Sequence, residues 1–161
     1  MMISKIAIFS VGQLRFGVEA SQVQEIVTIP PQRIVRTLDQ RCAVASIQPP
    51  QALLPIFDIA AYLCAPQPPA ANGNPPRSLL CVTFRWQKFL LACRVSSVEN
   101  VLPVTCAALQ PVPRVIAPLA AHSHIWGFYQ RQDAFIPLLD LERYFPPRDL
   151  QEYLRVIFPA A

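Results

Sequence analysis

The sequence predicts a mainly β protein built from a duplicated unit, with short helical turns and a C-terminal helix, and three observations carry that reading. Residues 53–63, LLPIFDIAAYL, recur as residues 135–145, FIPLLDLERYF, so that Pro55 meets Pro137, Asp58 meets Asp140 and Tyr62 meets Tyr144 at one offset. Each copy is an almost continuous apolar run, as a buried strand requires, followed by an Asp able to cap a helical turn. Each half also opens with two short apolar runs separated by a turn. The tail after Pro146-Pro147 carries Leu150, Tyr153, Leu154, Ile157 and Phe158, the i, i+3, i+4, i+7, i+8 stripe of an amphipathic helix.

Taken in order, residues 6–11 and 14–18 form a hairpin around Gly12-Gln13, and Glu19-Ala20-Ser21-Gln22 suits a single helical turn. Residues 23–29 alternate and stop at Pro30-Pro31, which defines a third strand. Arg33, Arg36, Asp39 and Arg41 mark a solvated connection, residues 42–47 a fourth strand, and the first repeat copy closes the half. Residues 64–77, CAPQPPAANGNPPR, lack any period and read as an exposed linker. Residues 78–84, 86–93 and 97–104 repeat the opening pattern, with Val98-Glu99-Asn100-Val101 echoing Val23-Gln24-Glu25-Ile26. A second Pro-rich connection spans 105–123, and residues 124–129 and 134–139 make a hairpin around a polar turn at 130–133. Pro147 at its start and Asp149 and Glu152 in its first turn suit the N-terminus of the last helix, which is expected to dock on the body of the protein. The expected division is a first subdomain over 1–64, a linker over 65–77, a second subdomain over 78–146 and a helix over 147–158.

At 161 residues, with 53% hydrophobic side chains, the chain can bury a core, while 15% charged residues is low for a solvated monomer and points to surface that meets a partner. The net charge of +4 comes from twelve arginines and two lysines scattered singly, without the runs that bind nucleic acid or membrane surface. No window approaches the ~18 apolar residues of a spanning helix, so a soluble, cytoplasmic protein is expected, with no membrane insertion. Five cysteines without a CxxC pair, set among apolar neighbours, suit buried reduced thiols.

Catalytic and nucleic-acid readings are weaker. Asp58 and Asp140 resemble the paired carboxylates of an aspartic protease, but neither is followed by the Thr/Ser-Gly that bends such a chain, and helix capping explains both. His122 and His124 flank Ser123 with no third ligand at a sensible spacing, so they are expected as loop residues, and no metal or cofactor is expected. With four glycines in all and no phosphate-binding loop or G-x-S-x-G, an enzyme is not expected. Phe84, Arg85, Trp86 and Lys88 interleave aromatic and basic side chains, which makes a basic β-barrel nucleic-acid binder the alternative; a solvated turn with two anchoring aromatics is the plainer account.

The order of FSVGQLRFGVEASQVQEIV, LPIFDIAAYL, CVTFRWQKFLLACRVSSVENVLPV and IWGFYQRQDAFIPLLDLERYF resembles the CheW-like coupling domain of bacterial chemotaxis over almost the whole chain. The resemblance implies two SH3-like five-stranded β-barrels related by a pseudo-twofold, a hydrophobic core shared between them, and no catalytic activity. It implies an adaptor that joins the cytoplasmic tip of a methyl-accepting receptor to the regulatory domain of a CheA-type histidine kinase at membrane-associated arrays. Val23, Glu25 and Ile26 match the segment that meets the kinase; the other reading of these residues is an ordinary alternating strand. The family's Arg-Gly pair before the Pro-x-x-Asp strand is missing, since Gln48-Pro49-Pro50-Gln51 stand there, which removes a cation and a flexible residue from the receptor groove. The corresponding corner of the second half, Trp126-Gly127, keeps its glycine, and Trp126 is expected in the core, with an interface anchor as the other reading. A divergent coupling protein with a rebuilt receptor contact, serving surface motility or phototaxis, is the expectation.

Overall fold

The computed structural model describes residues 3–47, 52–63, 77–122 and 124–159. The first hairpin is β1 (Ile3–Val11) and β2 (Leu14–Glu19), turning at Gly12-Gln13 with Gly12 at φ 60°, a conformation that suits a residue without Cβ. A single 3-10 turn, Ala20–Gln22, leads to β3 (Glu25–Ile29), and a second, Pro31–Arg33, to β4 (Ile34–Thr37). Strands β5 (Cys42–Ile47) and β6 (Ala52–Asp58) and the short helix α1 (Ile59–Leu63) complete the half. The second half repeats the series: β7 (Leu79–Trp86), β8 (Phe89–Arg94), β9 (Ser97–Thr105), a 3-10 turn at Cys106–Ala108, β10 (Leu109–Gln110), α2 (Ala117–His122), β11 (Ile125–Arg131), β12 (Ala134–Leu139) and α3 (Leu141–Tyr144). Helix α4 (Pro147–Ile157) ends the described fold.

Among the described residues the strands form two curled sheets of six rather than five strands, ordered β10-β11-β12-β2-β1-β9 and β4-β5-β6-β8-β7-β3. Shifting every strand number by six converts one order into the other, so the sheets are copies. They do not divide along the sequence. The first hairpin, β1–β2, sits in the sheet built from β9 to β12, and the second hairpin, β7–β8, sits in the sheet built from β3 to β6. Each half thus completes the other through two parallel seams, β2 with β12 (Gly17 opposite Leu138) and β6 with β8 (Ile56 opposite Ala92). Boundaries at 64 and 78 therefore cut through both sheets, a correction to the expected subdomains. The physical reason is that a hairpin's local pattern fixes its turn and its faces, not the sheet it joins.

Apolar residues collect in three places. Ile6, Ile8, Val104, Ile136 and Leu138 fill the inside of the first sheet, and Ile29, Ala45, Leu54, Ile56, Cys81 and Ala92 fill that of the second. A larger cluster lies between the sheets, where Phe9, Phe16 and Val18 of the first meet Phe57, Phe84 and Leu91 of the second. Phe145 closes it, with ring centroids 5.4 Å from Phe57 and 5.8 Å from Phe84. Helix α4 lays Leu150, Leu154 and Ile157 on the same cluster, as its stripe predicts. Trp86 ends β7 instead of opening β8, and it and Phe84 are buried. Strand β4 occupies part of the predicted connection; its four residues are polar enough to read as loop because it is an edge strand with only Ile34 against a core.

Candidate functional site

Asp58 and Asp140, the strongest pair in the sequence, are caps. The Oδ1 of Asp58 accepts from the Ala60 N–H at 3.0 Å and that of Asp140 from the Glu142 N–H at 3.1 Å. Asp140 Oδ1 also accepts from the Gln22 side chain at 2.8 Å, while Gln22 Oε1 accepts from the Leu141 N–H at 3.0 Å, so the first half's 3-10 turn is clamped to the second half's helix. Among the described residues no group of three His, Cys, Asp or Glu is placed to hold a metal, and no helix is long and apolar enough to cross a membrane. With Phe84 and Trp86 buried, the aromatic platform required by the nucleic-acid reading is not on the surface. Burial also sets the thiols: it pushes Cys42 and Cys81 up to about 12, and raises Cys93 as well.

What the fold offers a partner is strand edges, and the four edges differ. Strand β10 has two residues. Strand β4 has four, with a shift of register between Ile34 and Arg36. Strand β9 is long, but it is bulged where Glu99 and Asn100 oppose Ile8, carries Pro103, and holds Glu99 between Arg15 Nη2 at 2.5 Å and Arg131 Nη1 at 3.6 Å. Short length, bulges, proline and paired charge are the devices that keep an edge from pairing further. Strand β3, of five residues, has no proline or shift of register within it and, among the described residues, no ion pair. Its five residues run in unbroken register against β7, from Glu25 opposite Thr83 to Ile29 opposite Leu79.

Thr83 anchors the start of β3. It is a buried polar residue whose hydroxyl accepts from the Glu25 N–H at 2.9 Å and donates to the Glu25 carbonyl at 3.2 Å, while the Gln24 N–H reaches the Thr83 carbonyl at 2.8 Å. In the first sheet the same place is held by Ile8, which lies opposite the bulge at Glu99 and Asn100, and beyond it residues 101–104 pair with β1 in unbroken register. Alternation then sets the faces of β3: Val27 and Ile29 pack inward, while Ile26, 44% exposed, and Thr28 face out. Glu25 is exposed and, among the described residues, has no ion-pair partner, unlike Glu99 of the equivalent edge.

Of the sequence-predicted residues, Glu25 and Ile26 thus lie together on the open edge, and Val23 precedes the strand, half-buried against the main cluster. Gln48, Pro49, Pro50 and Gln51 lie outside the described residues. Trp126 is 46% exposed, which corrects its expected place in the core. It is the extra residue of a bulge between Ile125 and Gly127, and the bulge turns its ring outward. Gly127 is buried where β10 crosses, and a Cβ there would stand 3.0 Å from the Gln110 carbonyl oxygen. These two open β11, whereas residues 48–51 follow the end of β5, so they are not equivalent corners of the two halves. Register in the folded sheets was needed to see it.

Among the described residues the fold presents β3 as an open strand at the edge of a two-sheet β scaffold. A family model, the CheW-like domain, matches residues 5–149, and the chain belongs to that family of scaffolding modules. Among solved structures it is similar to the scaffolding protein TtCheW from Thermoanaerobacter tengcongensis, with TM-score 0.67 and 17% identity over 89% of this chain and 93% of that one. No curated protein sequence matches it significantly.

Proposed function

We propose that this chain is a chemotaxis adaptor that docks the regulatory domain of a CheA-type histidine kinase along β3. The observation that carries the reading is the open edge of β3: its five residues run in unbroken register against β7, with Glu25 exposed beside Ile26 and, among the described residues, without an ion-pair partner. An edge of this kind supplies backbone bonds for affinity and side chains for register. Glu25 orients a basic counterpart and Ile26 supplies apolar contact. Family membership supports the kinase as that counterpart.

The test is a titration of the purified protein with the kinase regulatory domain from its own genome, at two salt concentrations. Saturable binding is expected, weakened about 10- to 100-fold by Glu25→Lys, corresponding to ~1.4–2.8 kcal/mol. Binding that Glu25→Lys leaves unchanged would remove β3 from the interface. The second partner is a methyl-accepting receptor tip whose contact is rebuilt, because Pro50 and Gln51 stand where the resemblance implies an Arg-Gly pair. A receptor fragment is expected to bind weakly and to gain from Pro50→Arg with Gln51→Gly. Tight binding that the pair of changes does not alter counts against a rebuilt contact and against a specialised surface-motility or phototaxis system.

A further inference from the structure

We propose that a cleft at one end of the second sheet binds a phosphate-bearing small molecule of nucleotide size. The cleft has a volume of about 660 Å³, within the range of about 300–1,000 Å³ usual for small-molecule sites. Ile34, Ile56 and Leu79 give its lining apolar character, and Arg41, Arg77 and Arg94 line it as well. The three arginines come from separate strand ends: Arg41 precedes β5, Arg77 precedes β7, and Arg94 ends β8 opposite Asp58 and Cys81. Only the fold brings them together.

The carboxylates of the same cleft are turned to other work. Asp39 Oδ1 accepts from the N–H groups of Arg41 at 2.7 Å and Cys42 at 3.0 Å, its Oδ2 accepts from the Tyr153 hydroxyl at 2.5 Å, and Asp58 caps α1. Arg41 is held in place, 3.5 Å from Asp149 and with its guanidinium 5.2 Å from the centre of the Tyr62 ring. Among the described residues neither Arg77 nor Arg94 has a carboxylate within ion-pair distance. One fixed guanidinium group and two without a carboxylate partner among the described residues, beside apolar lining, match a ligand that is anionic at one end and flat and apolar at the other, because guanidinium forks pair with phosphate oxygens two at a time.

The site does not depend on the kinase-docking reading, and calorimetry on the full chain tests it alone. ATP and GTP are titrated beside adenosine and inorganic phosphate. At least one nucleotide is expected to bind saturably below millimolar concentration, more weakly at high salt, with adenosine and inorganic phosphate at least tenfold weaker. Arg77→Ala with Arg94→Ala is expected to reduce nucleotide affinity at least tenfold while leaving the circular dichroism unchanged, since both side chains are exposed. Arg148→Ala with Arg155→Ala, on α4, serves as the charge control and is expected to have no effect. Absence of nucleotide binding, equal binding of adenosine or inorganic phosphate, or a nucleotide affinity that the Arg77 and Arg94 changes do not touch would each overturn the proposal.

Discussion

Replacing Gly17 by alanine probes the seam through which the halves complete each other. Gly17 lies on β2 opposite Leu138 of β12, and an added Cβ would stand 2.7 Å from Leu138 Cδ2 and 2.9 Å from Ile6 Cγ2. Both are side-chain ends, but Leu138 and Ile6 are 0% and 1% exposed, inside the core of the first sheet, so neither can swing away into solvent. Overfilling such a site costs about 1–3 kcal/mol, offset by about 0.4–1 kcal/mol because alanine restricts the unfolded chain. The net loss is therefore about 0.5–2 kcal/mol, which lowers the melting midpoint by about 2–6 °C for a chain of this length. Leu138→Ala alone costs about 2–5 kcal/mol through the cavity it leaves, but it also removes the atom that Gly17→Ala strikes. In a double-mutant cycle followed by denaturant unfolding, the pair is thus expected to be less destabilised than the sum by at least ~0.5 kcal/mol. A Gly17→Ala protein as stable as the parent, or an additive cycle, would show that β2 and β12 are not packed as described.

Further expectations follow from burial, charge and topology. In a Cys64→Ser background at pH 8, a maleimide is expected to label the exposed Cys106 quickly, and to reach Cys42, Cys81 and Cys93 only when denaturant opens the fold, because burial keeps those thiols protonated; rapid labelling of all four in native buffer would contradict their placement. Burial alone would raise the Asp39 carboxyl, but the Tyr153 hydroxyl, the N–H groups of Arg41 and Cys42 and the Arg41 charge together hold it below its usual value. A lowered folded pKa contributes stability that is complete above about pH 4 and is lost as the pH falls through the folded value. Tyr153→Phe is accordingly expected to flatten the acid limb of a stability-against-pH curve, and an unchanged limb would argue against the contact. Expressed alone, residues 1–70 and 71–161 should each remain unfolded, and mixing them should restore the native circular dichroism, since each sheet needs strands from both; a cooperative transition in either fragment alone would refute the exchange.

The sequence made local structure legible and left global pairing hidden. The repeated strand with its Asp was readable because apolar runs and capping chemistry are local, and both Asp side chains do cap. The α4 stripe was readable for the same reason. Strand β4 was not, because an edge strand needs little apolar character, and Arg36 within it, with Arg33 and Arg41 on either side, looked like loop. The exposure of Trp126 depends on a bulge that only the register against β12 reveals. Strand β9 differs from β3 in its length, in Pro103 and in the pairing of Glu99 with Arg15 and Arg131, and these differences gain meaning once both strands are seen to be edges. Glu25 and Ile26 could be picked out from the sequence; that they sit on an open edge in regular register could not.

The exchanged hairpins also set an order on synthesis. As the chain leaves the ribosome, β3 to β6 need only β7 and β8 to finish their sheet, and all six strands have emerged once Arg94 is free. The hairpin made first, β1–β2, must wait for β9 and for β12, whose last residue is Leu139. The earliest strands to be translated are thus among the last to be paired, and their apolar faces stay uncovered while more than a third of the chain is still being made. A nascent chain stalled just beyond Arg94 would carry one finished sheet and one orphan hairpin, the state in which this protein most needs a chaperone.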